Sequence, residues 1–360
     1  MVPFIITPYY CVIGGWVLKY LVTFIAGQNK AAADDGTYFT EFIGGNGQPT
    51  IFFILFAGIT SVVVILGVKK GIEAISKILM PVLIVIIIGI AVYTLSLPGA
   101  MDGVKYYLLP NFKGFTFVSF LKTIVAAMGQ LFYSMSLAMG IMVTYGSYMR
   151  KEDSIESSAR QIEIFDTAVA VLAGLIIVPA VFVFSNGNAA ALNKGPSLMF
   201  ITLPNVFESM RGGRIVGAFF FLLVALAALT SSISLLETMV SIVCEQFKMK
   251  RVIGTIICLG IVFVVGMTSV LGYGVWADFT IFGYQFLDFY DFISNNVMMP
   301  IVALITCILV GYFLKTKYVE NEIEDGGKKF AVKGFYRVMI LAICPVCMLV
   351  ILITNFFLDF

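Results

Sequence analysis

A chain of 360 residues that is 60% apolar and only 12% charged cannot cover a water-soluble core with polar surface, which excludes soluble enzymes, secreted domains, coiled coils and disordered chains. It has no histidine, so Ser-His-Asp and Cys-His catalysis, His-ligated zinc and imidazole proton relays are excluded too. An all-α membrane protein remains, because the apolar runs exceed what barrel strands need, and a net charge of +2 does not point to nucleic acid.

Reading between charged residues predicts nine transmembrane helices, at 1–18, 42–68, 78–101, 123–149, 167–193, 215–236, 252–277, 292–314 and 338–358. The first holds Pro3, Pro8 and Gly14-Gly15, and runs on to about residue 25, with Lys19 snorkelling toward an interface. Pro81, Pro179, Pro300 and Pro345 interrupt later spans, and Gly140 lies in the fourth. Helix breakers at membrane depth suit a transporter, whose binding sites use discontinuous helices, although ordinary kinking also accounts for them. The six cysteines lie in or beside apolar runs, and the Cys344–Cys347 pair in LAICPVCMLV reads as small apolar residues of a helix.

The basic residues fix an orientation. Of 23 Lys and Arg, fifteen fall in one alternating set of loops and six in the other, with Lys19 and Lys122 near helix ends. Positive charge stays inside, so the expectation is an inner or plasma membrane protein with Met1 cytoplasmic and Phe360 extracellular. The chain opens directly into VPFIITPYYCVIGGW without a basic leader or cleavage site, so it is expected to start inside a longer protein.

Four stretches occur in order: PYYCVIGGW, AAMGQLFYSMSLAMGIMVTYGSYMRKEDSI, FDTAVAVLAGLIIVPAVFVF and LAALTSSISLLE. Together they resemble the bacterial branch of the neurotransmitter:sodium symporter family. The resemblance implies a five-plus-five inverted-repeat, leucine-transporter-type fold entered at its third helix, with two helices missing at the N-terminus. Residues 1–101 would be the rest of the first repeat, 119–314 the second, and 330–360 an extra C-terminal helix. It implies sodium-coupled symport of an amino acid or related amine by alternating access, with sodium ions, no organic cofactor and no chloride requirement. GQLFYSMSLAMG would be the broken helix of the second repeat, with Ala138 standing where family members carry glycine, a change that narrows the pocket or disfavours unwinding.

Sodium prefers oxygen ligands, as other hard cations do. Thr230 and Ser231 set two hydroxyls side by side, and the Ala227 carbonyl lies one turn earlier on the same face, where a kink would free it. The resemblance makes these three a sodium site; the alternative is hydroxyls bonded back to their own helix. It also makes Ser134 and Asp166, 32 positions apart, a second sodium site, whereas Asp166 could instead cap the fifth span. Sodium with a zwitterion carries positive charge into the membrane, and the resemblance implies that Asp166 supplies the counter-charge where animal members use chloride.

Tyr10 matches the tyrosine that donates to the substrate carboxylate, and Tyr133 the aromatic lid opposite it. Tyr10 lies too deep in its span for an interfacial anchor. Ile6, Phe132, Ser136, Ala138, Met139 and Leu235 complete a pocket that suits an apolar or aromatic amino acid. Asp291, just before the eighth span, matches an outer-gate residue whose arginine is missing, and so is expected to be exposed or unpaired. Glu237, late in the sixth span, is either functional or simply near the cytoplasmic interface.

Two other classes lack their sequence marks. An intramembrane aspartyl protease would pair Tyr290-Asp291 with a GxGD that does not occur, and a channel would show a filter sequence or charged ring. A third reading keeps the resemblance but makes the chain a non-transporting fragment of such a symporter.

Overall fold

The computed structural model describes residues 1–45, 47–112, 114–185, 195–325 and 330–357. Among them are nine helices long and apolar enough to cross a membrane. They are α1 (Val2–Ile25), α2 (Gln48–Ile65), α3 (Val68–Leu95), α4 (Phe117–Ser134), α5 (Ile155–Phe184), α6 (Gly213–Phe247), α7 (Arg251–Tyr273), α8 (Phe286–Phe313) and α9 (Lys333–Thr354). The nine expected spans are therefore present, but several ends move. α5 begins at Ile155 rather than 167, α6 runs to Phe247, and α8 begins at Phe286 rather than 292. A charge-delimited reading stops at the first ionic residue, whereas a helix continues past the apolar zone while its backbone bonds stay satisfied.

The prolines are accommodated in two ways. Pro8, Pro81 and Pro179 lie inside continuous helices. Pro204, Pro300 and Pro345 each follow a widened π turn, at Leu198–Thr202, Ile293–Met298 and Met339–Ile343. Proline has no N–H and its ring crowds the carbonyl four residues back. In all three cases that carbonyl lies within the π turn, whose extra residue gives the ring room.

The helices form two compact units. One comprises Thr7–Phe112 and Ala168–Leu287. In it α6 packs against α2, α3 and α7, and an aromatic core joins Trp16, Tyr20 and Phe24 of α1 to Phe39, Phe200, Phe207 and Phe221. Phe39 stacks on Phe200 with ring centres 5.1 Å apart. Close approach here depends on Gly217, where a Cβ would stand 2.1 Å from the Phe24 ring. Lys19 does not merely reach for the interface: its ammonium lies within 5.6–5.8 Å of the ring centres of Tyr38, Phe42 and Phe52.

The other unit comprises Met1–Ile6, Lys113–Thr167 and Asp288–Phe360. Its small core is Val125, Met348 and Ile351, flanked by Phe132, Leu304 and Cys347. The short helix Thr316–Glu324 brings the fully buried Glu320 carboxylate to Arg337, with both contacts at 2.6 Å, and to Lys333 at 3.3 Å.

Candidate functional site

Thr116 caps the start of α4 by accepting the Ser119 N–H at 3.1 Å, and the helix ends at Ser134. The chain unwinds through 135–140 and resumes as a helix at Ile141–Gly146. The expected broken helix is therefore present. Ser136, Ala138 and Gly140 adopt φ of 54°, 60° and 81°. An alanine in the left-handed region costs ~1–2 kcal/mol, so Ala138 resists the break without preventing it. The end is closed by Met135, Ser136 and Leu137 N–H groups bonding to the carbonyls of Leu131, Tyr133 and Phe132. Beyond it, the carbonyls of residues 134–139 have no backbone partner among the described residues. These are oxygen donors of the kind a hard cation takes.

At this break the Ser134 hydroxyl donates to Asp166 Oδ1 at 2.6 Å, joining the two residues singled out 32 positions apart. Asp166 is not a helix cap. α5 starts at Ile155 with Glu156 in its first turn, so Asp166 sits three turns inside and its half-buried side chain is free to serve Ser134.

The second oxygen cluster lies on α6. That helix is continuous, so no kink frees the Ala227 carbonyl as expected; it accepts from the Thr230 hydroxyl at 2.9 Å. Back-bonding thus describes Thr230. Ser231, the next residue, is exposed. One residue further on, the buried Ser232 hydroxyl meets Thr60 of α2 at 2.9 Å, fastening the opposite face.

Of the other expected pocket residues, Ile6, Met139 and Leu235 are buried, while Tyr10, Phe132, Tyr133, Ser136 and Ala138 are half-buried. Phe132 packs against the Val125–Met348–Ile351 core. Asp291 is neither outside its helix nor unpaired: it lies within α8 and accepts from Asn295 Nδ2 at 2.7 Å.

Glu237, left undecided by sequence, is fully buried and held by the two terminal guanidinium nitrogens of Arg251, while Arg251 Nε donates to the Val64 carbonyl at 2.8 Å. Sequence reading counted Arg251 only as an inside charge. The available signal was a carboxylate late in an apolar span, with an arginine opening the next.

The sequence profile of the Sodium:neurotransmitter symporter family matches residues 37–358. The chain belongs to this family. It is 33% identical over 359 residues to an "uncharacterized sodium-dependent transporter" of Haemophilus influenzae, covering 98% of this chain and 76% of that protein. It is 35% identical over 353 residues to the sodium-dependent transporter YhdH of Bacillus subtilis, covering 97% of this chain and 76% of that protein. Among solved structures, MhsT in complex with L-phenylalanine matches with a TM-score of 0.85 and 34% identity, over 98% of this chain and 79% of that one. These neighbours are transporters, not enzymes, and the symporter described here is a multi-pass membrane protein.

Proposed function

We propose that this symporter couples sodium movement to the transport of an amino acid with an apolar or aromatic side chain, by alternating access. The observation that carries the reading is the Ser134–Asp166 contact at 2.6 Å beside carbonyls of the broken helix that have no backbone partner among the described residues. A carboxylate, a hydroxyl and backbone carbonyls in one place are what a dehydrated sodium ion needs. Ala227, Thr230 and Ser231 would supply the oxygens of a second sodium site. Tyr10 would donate to the substrate carboxylate, with Ile6, Phe132, Tyr133, Ser136, Ala138, Met139 and Leu235 around the side chain and Asp291 as an outer-gate residue. MhsT with bound L-phenylalanine supports an aromatic or apolar substrate.

Asp166 would balance the sodium charge in place of chloride, and the basic residues support a cytoplasmic Met1 and an extracellular Phe360. Equilibrium binding of tritiated L-phenylalanine, titrated with sodium against a potassium background, tests the reading. Saturable sodium-dependent binding is expected, and the Thr230→Ala/Ser231→Ala double variant should need roughly tenfold more sodium, the loss of ~1.4 kcal/mol of ligation. Binding that ignores sodium would overturn the coupling. Unchanged sodium dependence in the double variant would remove those hydroxyls from the site.

A further inference from the structure

Where the C-terminal end of α1 meets the N-terminal end of α6, the surface opens into a cleft of about 550 Å³. Leu21, Phe24, Ile215, Ala218, Phe219 and Leu222 form its apolar walls, and Arg214 is the charged residue in its lining. Arg214 Nε donates to the Phe24 carbonyl at 3.2 Å and Nη2 to the Ile25 carbonyl at 2.5 Å, which holds the guanidinium against the end of α1. Gly27 permits this, since it turns the chain at φ 76° and a Cβ there would stand 3.0 Å from Arg214 Cζ. No acidic side chain forms an ion pair with Arg214 or the neighbouring Arg211 among the described residues; Glu208, the nearby carboxylate in sequence, takes its contact from Asn29.

We infer that this cleft binds one anionic phospholipid, its phosphate at Arg214 and one acyl chain between α1 and α6. Three features converge. Charge is complementary, because a guanidinium with no acidic partner among the described residues, placed at the end of two membrane-spanning helices, pairs readily with a phosphate. The first helical N–H groups of α6 add partial positive charge at the same end. Depth also fits. From Gly212 to Leu222 the helix rises about 15 Å, which is the thickness of one leaflet of a ~30 Å hydrocarbon core. A cleft of that length, apolar throughout and charged at its rim, matches a lipid better than a soluble ligand.

The test is native mass spectrometry of the detergent-purified protein titrated with dioleoylphosphatidylglycerol, dioleoylglycerol or inorganic phosphate. One phosphatidylglycerol should be retained per chain, the neutral dioleoylglycerol should not, and phosphate alone should fail to displace the lipid. Arg214→Gln should lower retention about tenfold. Because Arg214 also holds the end of α1, Ala218→Phe serves as the second variant. It fills the cleft, leaves the charge in place, and should lower retention as well. Retention of phosphatidylglycerol unchanged by Ala218→Phe, or equal retention of dioleoylglycerol, would overturn the assignment. In either case the cleft would be left for another segment or a second copy.

Discussion

Replacing Arg251 by leucine should be among the most damaging single changes in the α2–α6–α7 unit. Glu237 is fully buried, and both its oxygens are held by Arg251. The same guanidinium also occupies the Val64 carbonyl at the end of α2. Removing one partner of a buried pair costs ~3–5 kcal/mol, because the stranded charge keeps its desolvation penalty. The Arg251 side chain is 30% exposed, so water softens the loss and the lower end, ~3 kcal/mol, applies. An unfolding entropy of ~2.1 cal/mol/K per residue turns that into a thermal midpoint lower by ~4 °C, measured by intrinsic fluorescence in detergent. The Glu237→Met/Arg251→Leu double variant should recover most of the loss, since an apolar pair strands no charge. A single variant within ~1 °C of wild type, or a double variant no better than the single, would refute the reasoning.

Two further outcomes follow from local geometry. Ala138→Gly should leave the fold intact and raise the thermal midpoint slightly, whereas Ala138→Val should lower it, because a β-branched residue at φ 60° is more strained than alanine; the reverse order would mean that the left-handed turn is not a feature of the folded protein. Glu320 lies in the short helix Thr316–Glu324, outside the nine spans, and the Arg337 guanidinium holds its carboxyl down to about 2 from its ordinary 4.5. A depressed carboxylate stabilises fully above its unfolded value and loses that contribution as pH falls toward the folded one. Wild type should therefore lose thermal stability relative to Glu320→Gln between about pH 5 and pH 2, and parallel acid limbs would contradict this.

Much of the fold was legible because charge-free runs of sufficient length have few alternatives in a bilayer, and the nine helices fall on the nine runs. Their ends were less legible, since nothing in IESSARQIEIF marks where membrane gives way to water while the helix continues. That misplacement made Asp166 look like a cap, when it sits in mid-helix beside Ser134. The break at 135–140 was readable only through the motif around GQLFYSMSLAMG, because alanine at 138 carries no local signal for a left-handed turn. The pairings Glu237–Arg251 and Glu320–Arg337 depend on how helices meet, and sequence spacing does not encode that.

The central claim is that sodium and substrate meet at the broken helix with Asp166 as the balancing charge. Sodium-gradient-driven uptake of L-phenylalanine into proteoliposomes, with chloride replaced throughout by gluconate, tests it most directly when wild type is compared with Asp166→Ser. Wild type should accumulate substrate equally with and without chloride, and Asp166→Ser should fail in gluconate and regain part of its uptake when chloride is restored. A wild-type protein that requires chloride, or an Asp166→Ser variant that transports normally in gluconate, would contradict the account.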